Sequence, residues 1–109
     1  MSKFQIFKAV NNEYRFRLKS NNGEIILSSE GYTAKQSCNT GIQSVKTNAP
    51  NNSNYDKKSS RNGEPYFVLK ANNGEIIGTS EMYSSTYARD NGIEAVKRDA
   101  PLATIEDLT

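Results

Sequence analysis

The sequence lacks histidine and tryptophan, contains a single cysteine, and has no long hydrophobic run. Without histidine there is no imidazole to act as a general base, to complete a catalytic triad or to ligate zinc. The lone Cys38 has no partner for an intramolecular disulfide, so an oxidising compartment is not implied. These absences exclude the usual parts of hydrolytic and metal-dependent enzymes, and we expect no catalytic residue, no cofactor and no metal.

Apolar residues are scarce, since Leu, Ile, Val and Phe make up only 21 of the 109 residues. The 14 basic and 12 acidic side chains nearly balance, which argues against a disordered chain. Residues 1–6 lack the apolar run of a signal peptide, and no segment reaches the length of a membrane-spanning helix. We therefore expect one thin-cored domain, 1–109, that is cytoplasmic and makes no contact with a membrane.

The sequence contains an internal repeat, and the second copy lies 51 residues after the first. Between residues 13–50 and 64–101, 19 of 38 positions are identical without a gap. The longest common segment, Asn-Asn-Gly-Glu-Ile-Ile, begins at Asn21 and again at Asn72. We assign repeat one to residues 1–51 and repeat two to residues 52–109, and we expect both to share one sheet because each alone would leave a poor core.

Each repeat is predicted to form three short strands and a helix. In the first, Tyr14, Phe16 and Leu18 alternate with basic residues, which is the period of a half-buried strand. Asparagine-glycine pairs favour type I′ hairpin turns, where both central residues have positive φ. A short C-terminal strand is expected around Ile105, which completes an α+β fold with one antiparallel sheet and two helices on one face.

The helices are expected to begin at Thr33, which forms a capping box with Gln36, and at the equivalent Ser84. The apolar face of the first helix is predicted to consist of Ala34, Cys38, Ile42, Val45 and Ala49. Both helices keep a central glycine, which suggests that the helix backbone lies close to the sheet there. An alanine-proline pair ends each helix.

Several segments together carry a family resemblance. They are Tyr-Arg-Phe-Arg-Leu-Lys at 14–19, Asn-Gly-Glu-Ile-Ile at 22–26, Ser-Glu-Gly-Tyr at 29–32, Gly-Ile-Gln-Ser-Val-Lys at 41–46, Asn-Ala-Pro at 48–50 and Gly-Thr-Ser-Glu-Met-Tyr at 78–83. In these the chain resembles the YegP-like family of uncharacterised bacterial proteins. The resemblance implies two units that exchange strands within a single antiparallel sheet, as single-copy relatives do by dimerising. It implies no established activity and no catalytic residues.

The first candidate site is the sheet face that the helices do not cover. If the aromatic residues of the second strand point inward, then Arg15, Arg17 and Lys19 point outward, and repeat two adds Tyr66, Val68 and Lys70 to the same face. Cations beside an aromatic ring are the groups with which β-sheet platforms bind phosphates and stack bases. Residues 1–50 carry seven basic and three acidic side chains, against seven and nine in 51–109. A solvated face without a ligand explains the same pattern.

The second candidate is a polar junction before each helix, formed by a repeated serine, glutamate and tyrosine. Its members are Ser29, Glu30 and Tyr32 in repeat one and Ser80, Glu81 and Tyr83 in repeat two. A hydroxyl, a carboxylate and a phenol could form a small binding site. A structural role explains them equally well, because a glutamate favours a helix N-terminus and a tyrosine can anchor the helix to the sheet.

Two further features have both a functional and a structural interpretation. The strand at Tyr55–Lys58 is polar and suits an exposed sheet edge, to which a partner peptide could add a strand. Its Lys57 and Lys58 look like protection against such pairing. Cys38 would be reactive only beside a cation or a helix N-terminus, and otherwise it is a small buried helix residue.

The pattern as a whole predicts a non-enzymatic binding or interaction module. The alternative is a nucleic-acid or anionic-ligand binder that uses the basic sheet face of repeat one. The partner is unknown and could be a protein or a nucleic acid. Because the duplication supplies two copies in one chain, we expect a monomer with two pseudo-symmetric halves.

Overall fold

The computed structural model describes residues 1–109 and contains seven strands and two α-helices. The strands are β1 (Lys3–Lys8), β2 (Tyr14–Lys19), β3 (Ile25–Ser28), β4 (Tyr55–Ser59), β5 (Pro65–Lys70), β6 (Ile76–Thr79) and β7 (Thr104–Asp107). The helices are α1 (Lys35–Asn48) and α2 (Thr86–Asp99), and each is followed by a short 3-10 helix, at Asn52–Asn54 and Ala100–Leu102. The predicted α+β fold of two strand-strand-strand-helix units and a last strand is confirmed. Neither helix has the length and apolarity needed to cross a membrane.

All seven strands join one sheet in the order β4-β5-β6-β3-β2-β1-β7. The two repeats meet where β3 pairs antiparallel with β6, through Ser28 and Thr79. These two residues stand at equivalent positions, 51 residues apart. A pseudo-twofold axis therefore passes through the middle of the sheet, between β3 and β6.

The last strand departs from the predicted antiparallel sheet, because β7 pairs parallel with β1. The strand that follows α1 is β4, which pairs with β5. The pseudo-symmetric place for the strand that follows α2 is beside β2, but β1 already pairs with β2 there. The C-terminal strand lies instead on the outside of β1 and runs parallel to it.

The hairpin turns occur where the asparagine-glycine pairs predicted them, but the predicted turn type is wrong. Gly23, Gly63 and Gly74 have φ of +86°, +81° and +88°, whereas the asparagine before each has negative φ. A positive φ at the glycine alone is typical of a type I turn with a bulge rather than of a type I′ turn. The pairing is correspondingly irregular at Leu18/Lys19 and Leu69/Lys70.

Both helices begin later than the sequence suggested. The N-cap of α1 is Ala34, which has no capping side chain, so the predicted capping box at Thr33 is wrong. The N-cap of α2 is Ser85 rather than Ser84, and its hydroxyl accepts a hydrogen bond from the backbone N–H of Ala88 at 3.0 Å. The delay has a physical cause, because Tyr32 is held in the sheet by two backbone hydrogen bonds to Tyr14, each 2.7 Å long. The chain needs the next two residues to turn into the helix.

The core lies between the sheet and the two helices and is continuous across both repeats. On α1 the predicted apolar positions Cys38, Ile42, Val45 and Ala49 are buried, but Ala34 is exposed because it precedes the helix. In repeat two, Arg89 replaces the buried cysteine and turns its charged end to Asp90. Each helix packs against strands of both repeats, so that neither repeat has a separate core.

The central helix glycines approach the sheet as predicted. A Cβ placed on Gly41 would lie 2.5 Å from the Tyr32 hydroxyl and 3.1 Å from the Phe16 ring. Gly92 is pressed in the same way against Tyr83 and Phe67. A side chain at either glycine would force the helix away from its tyrosine, which explains why both copies keep glycine at a position that disfavours it.

Candidate functional site

The three cations of β2 lie on the sheet face that no helix covers. Arg15, Arg17 and Lys19 are partly exposed and alternate with Phe16 and Leu18, which are fully buried under the helices. The alternation arises because successive strand residues point to opposite faces. The predicted placement of the β2 cations is thus observed, and the "β2 cation row" below means these three residues.

Arg17 is held in a fixed position by its neighbours on β1. Its guanidinium lies over the Phe7 ring at 4.6 Å from the ring centre, and its Nε donates to Gln5 Oε1 at 2.9 Å. The Gln5 amide in turn donates to Glu106 Oε1 at 2.7 Å. The remaining guanidinium N–H groups of Arg17 make no hydrogen bond within the protein, so they are available to a ligand above the sheet.

The cation row has no carboxylate of its own. None of Arg15, Arg17 and Lys19 has an ion-pair partner within 4.0 Å. The Nε of Arg15 is buried and makes no hydrogen bond. An unpaired buried N–H loses its water without receiving a partner in return, which costs about 1–3 kcal/mol.

The opposite half of the same face is neutralised. Lys70 pairs with Asp56 at 3.2 Å, and Lys58 approaches the same carboxylate at 3.6 Å. The hydrogen bond from Lys70, followed by the charge of Lys58, lowers the pKa of Asp56. Tyr66 lies on this half, beside Lys58 in the strand register. The unpaired positive charge is therefore confined to repeat one, a limit that the sequence analysis missed because it left out Asp56.

Glu106 is the other acidic residue that the sequence analysis missed. It accepts from Gln5 and lies 3.2 Å from Lys3, and these contacts lower the pKa of its carboxyl group. Lys19 adds a weaker electrostatic effect in the same direction. Glu106 became a neighbour of the face only because β7 joins the sheet beside β1, which spacing along the chain does not reveal.

The serines of the polar junctions are structural. The Ser29 hydroxyl accepts from the Phe16 backbone N–H at 2.9 Å and donates to the Glu30 carbonyl at 2.8 Å. Ser80 makes the equivalent bonds to Phe67 and to the Glu81 carbonyl, at 3.0 and 2.8 Å. Both serines are buried. Each completes the strand pairing at the point where the chain leaves the sheet.

The glutamates of the polar junctions face solvent, whereas the tyrosines pack on core aromatic rings. Glu30 and Glu81 are exposed and their side chains make no hydrogen bond or ion pair in the structure. Tyr32 stacks on Phe16 with ring centres 6.4 Å apart, and Tyr83 stacks on Phe67 at 6.3 Å. Burial raises the pKa of both phenols. The three residue types of each junction therefore do not converge on one point, and a single catalytic cluster is not assembled there.

Cys38 is fully buried on the inner face of α1. Burial, with a smaller contribution from Asp107, raises the pKa of its thiol to about 11. The thiol is therefore protonated at neutral pH, and the interpretation as a small buried helix residue is the correct one. No group of three or more cysteine, aspartate and glutamate side chains is placed to hold a metal ion.

The polar strand at residues 55–59 lies at one edge of the sheet, as expected. Lys57 on this strand is exposed and pairs with Asp90 of α2 at 3.2 Å. Charged side chains on an edge strand oppose pairing with other chains. Whether a partner peptide adds to this edge stays a prediction.

The chain is similar to UPF0339 proteins, which are uncharacterised. A UPF0339 protein of Shewanella oneidensis is 51% identical over 106 residues, which span 97% of this chain and 96% of that protein. The UPF0339 protein YegP of Escherichia coli K12 is 46% identical over 106 residues, with 97% and 96% covered. These proteins match over their full length, so both repeats are shared.

Two solved structures have the same fold. The solution NMR structure of the Shewanella oneidensis UPF0339 protein superposes with a TM-score of 0.93 at 50% identity, covering 99% of this chain and 92% of that one. The solution NMR structure of yegP from Escherichia coli, described as a protein of unknown function, gives 0.94 at 45% identity, with 99% and 93% covered. The fold and the resemblance to the YegP-like proteins are therefore both confirmed.

The family model described as "Domain of unknown function (DUF1508)" matches this chain twice, at residues 9–56 and 60–107. The two matches are 51 residues apart and each ends in the strand that follows a helix, β4 or β7. The chain therefore belongs to the DUF1508 family, as a two-repeat member alongside the UPF0339 (YegP) proteins.

Proposed function

We propose that this protein is a non-enzymatic binding module that holds an anionic ligand on the uncovered sheet face of repeat one. The observation that carries the proposal is the β2 cation row, three adjacent cations without a carboxylate partner. On the other half of the face the equivalent cation, Lys70, is paired with Asp56. A difference between two otherwise similar halves points to a ligand rather than to general solubility.

The geometry suits phosphate groups. Guanidinium groups bind phosphate oxygens through paired N–H donors, and Arg17 is oriented for this by Phe7 and Gln5. The buried Nε of Arg15 has no partner within the protein. A bound phosphate that shifts this side chain outward would relieve that cost. Single-stranded nucleic acid is a polyanion that presents successive phosphates along one strand, and we propose it as the ligand.

The absence of enzymatic activity is part of the proposal. It is supported by the structural roles of Ser29 and Ser80, by the dispersed positions of the junction tyrosines, and by the protonated thiol of Cys38. We also propose a cytoplasmic monomer. The internal pseudo-symmetry supports a monomer, since each helix already packs on strands of both repeats.

Fluorescence anisotropy with single-stranded oligothymidylate tests the proposal. We expect binding at low salt that weakens steeply as salt is added, and a loss of more than about tenfold in the variant Arg15→Ala/Arg17→Ala. The matched control is Lys57→Ala/Lys97→Ala, which removes the same charge from residues on the helix-covered side. Tripolyphosphate serves as a second probe and separates recognition of phosphate from recognition of bases.

The two probes and the two double variants give distinguishable outcomes. Binding by oligothymidylate alone supports a nucleic-acid ligand, and equal binding by tripolyphosphate supports a smaller anion. An equal loss in both double variants would mean that only net charge matters. That result, or no binding at low salt, would overturn the proposal.

A further inference from the structure

Two equivalent clefts lie on the helix-covered side of the molecule, each between a helix and the hairpin of the other repeat. The first, which we call the α1 cleft, runs between α1 and the β5–β6 hairpin and has a volume of about 630 Å³. The second, the α2 cleft, runs between α2 and the β2–β3 hairpin and has a volume of about 220 Å³. Both clefts therefore need the two repeats together.

Five residues that line one cleft have identical counterparts in the other. In the α1 cleft they are Tyr32, Gly41, Asn73, Glu75 and Ile77. In the α2 cleft the same residue types stand at equivalent positions, as Tyr83, Gly92, Asn22, Glu24 and Ile26. The duplication thus placed the same tyrosine, glutamate and asparagine in both clefts. The remaining lining residues can therefore be compared position by position.

The helix side chains distinguish the two clefts. Ser37, Thr40 and Ser44 line the α1 cleft. Their equivalents on α2 are Ala88, Asn91 and Ala95. The helix side of the α1 cleft is therefore lined by hydroxyl groups where that of the α2 cleft has mainly methyl groups.

A second difference concerns charge. Arg98 of α2 lines the α2 cleft together with Glu24, and its guanidinium is paired with Asp99, to which its Nε donates a hydrogen bond at 3.0 Å. The equivalent residue on α1 is Thr47, which is exposed and does not line the α1 cleft. No lysine or arginine lines the α1 cleft at all. The lining of the α2 cleft thus includes an arginine, and the lining of the α1 cleft includes no cation.

The α1 cleft is left with unbalanced negative charge. The Glu75 carboxylate makes no ion pair and no hydrogen bond within the protein, although its backbone N–H donates to Asn73 Oδ1 at 3.0 Å. Glu30 and Glu75 both add to the effect of burial in raising the pKa of Tyr32. The Tyr32 and Ser37 hydroxyls make no hydrogen bond in the structure and so are free to accept one. An acidic cleft with free acceptors suits a ligand that brings N–H donors and positive charge.

We propose that the α1 cleft, whose lining has a carboxylate and no cation, binds a small organic cation with a guanidinium or primary ammonium group. Glu75 supplies the ion pair, and the hydroxyls of Tyr32 and Ser37 accept further N–H donors. The site lies on the opposite side of the sheet from the β2 cation row and takes a ligand of opposite charge. It therefore stands or falls independently of the anion-binding function.

Titration with agmatine, followed in ¹H–¹⁵N correlation spectra, tests this site. Agmatine carries a guanidinium and an ammonium group, and butylurea serves as a neutral probe of similar shape. We expect agmatine to shift the amide signals of Gly41 and Asn73 at a single site, and butylurea to leave them unchanged. Glu75→Gln should weaken agmatine binding by about tenfold or more, whereas the matched variant Glu24→Gln in the α2 cleft should leave it intact.

Exchanging the residues that distinguish the clefts gives a second test. Thr47→Arg supplies the α1 cleft with its own guanidinium at an exposed position and should abolish agmatine binding. Arg98→Thr removes the cation from the lining of the α2 cleft and should add a second set of shifts around Gly92. The spectra of the variants themselves report whether each is folded.

Three results would overturn the site. One is the absence of agmatine shifts at millimolar concentration, and another is an equal response to butylurea. The third is an agmatine response that Glu75→Gln and Thr47→Arg leave unchanged, because the cation would then bind elsewhere on the acidic surface.

Discussion

Leu27 and Gly78 stand at equivalent positions of the two repeats and meet beside the seam of the sheet. The side chain of Leu27 lies 2.6 Å from the point that a Cβ on Gly78 would occupy, and Leu27 is fully buried. There is room for one large side chain near the pseudo-twofold axis and not for two. The duplicated sequence had to become asymmetric at this place, which it did by keeping leucine in one copy and glycine in the other.

The contact between Leu27 and Gly78 predicts that exchanging the two residues restores stability which each single substitution loses. Gly78→Leu should destabilise the protein by about 2–3 kcal/mol through overpacking, and Leu27→Gly by about 3–5 kcal/mol through an unfilled cavity. The double variant, which moves the leucine to the other copy, should recover most of that loss. Urea unfolding of the four proteins measures it. Losses that simply add in the double variant would contradict a shared space.

The contact between Gly41 and Tyr32 predicts an unfavourable alanine. In an open helix Gly41→Ala would stabilise by about 1 kcal/mol. Here the new Cβ would lie 2.5 Å from the tyrosine hydroxyl, so we expect a net destabilisation. Removing that hydroxyl with Tyr32→Phe should reduce the loss, and thermal unfolding of the single and double variants measures the coupling. Gly92→Ala with Tyr83→Phe should repeat the result, and no coupling in either copy would refute the steric explanation.

The burial of Cys38 predicts a thiol that is inert in the folded protein. Its pKa of about 11 leaves almost no thiolate at neutral pH, and the side chain has no access to solvent. We expect Ellman's reagent to modify the thiol slowly in buffer and rapidly in denaturing urea. Fast modification of the folded protein would show that α1 opens locally and would revive a chemical role for Cys38.

The acidic residues of β7 predict that the C-terminal strand loosens in acid. Hydrogen bonds from Thr109 and Lys35 lower the pKa of Asp107, and contacts with Gln5 and Lys3 lower that of Glu106. A carboxyl group with a lowered pKa in the folded state stabilises that state above its ordinary pKa, and the contribution is lost as the pH falls. The loss should therefore begin near the ordinary values of 3.8 for aspartate and 4.5 for glutamate, and grow below them.

Amide exchange measures that loosening residue by residue. Leu108, whose N–H donates to the Ile6 carbonyl at 2.8 Å, should lose protection in acid before the buried Leu27 does. Glu106→Gln/Asp107→Asn should remove most of the pH dependence. Protection of Leu108 that follows Leu27 at every pH would mean that β7 opens only with the whole sheet.

The repeat and its elements could be predicted from the sequence because they depend on local patterns. The alternation around Phe16, the asparagine-glycine turns and the central helix glycines each act over a few residues, and the structure has them where the pattern placed them. The turn type was missed because it depends on the irregular pairing beside the turns, at Leu18/Lys19 and Leu69/Lys70. The start of α1 was missed because it depends on a bond to an earlier strand, through the pair between Tyr14 and Tyr32.

The candidate site was predictable only in part. The β2 cations could be placed on the uncovered face by alternation alone. The charges around these cations could not be predicted, because Glu106 reaches the face from the far end of the chain. The α1 cleft was invisible for the same reason, since it joins Ser37 of one repeat to Glu75 of the other.

The position of β7 outside β1 has a consequence for biosynthesis. The ribosome releases the N-terminus first, so β1 can pair with β2 before α2 and β7 have been made. In the folded protein the strand that follows α2 lies outside β1 and pairs parallel with it. The two strands also differ in what they bury, because Phe4 and Ile6 of β1 lie in the core whereas Thr104, Ile105 and Asp107 of β7 are exposed. A circular permutant that starts at β2 and carries β1 after Thr109 would reverse the order of arrival and set the two strands in direct competition.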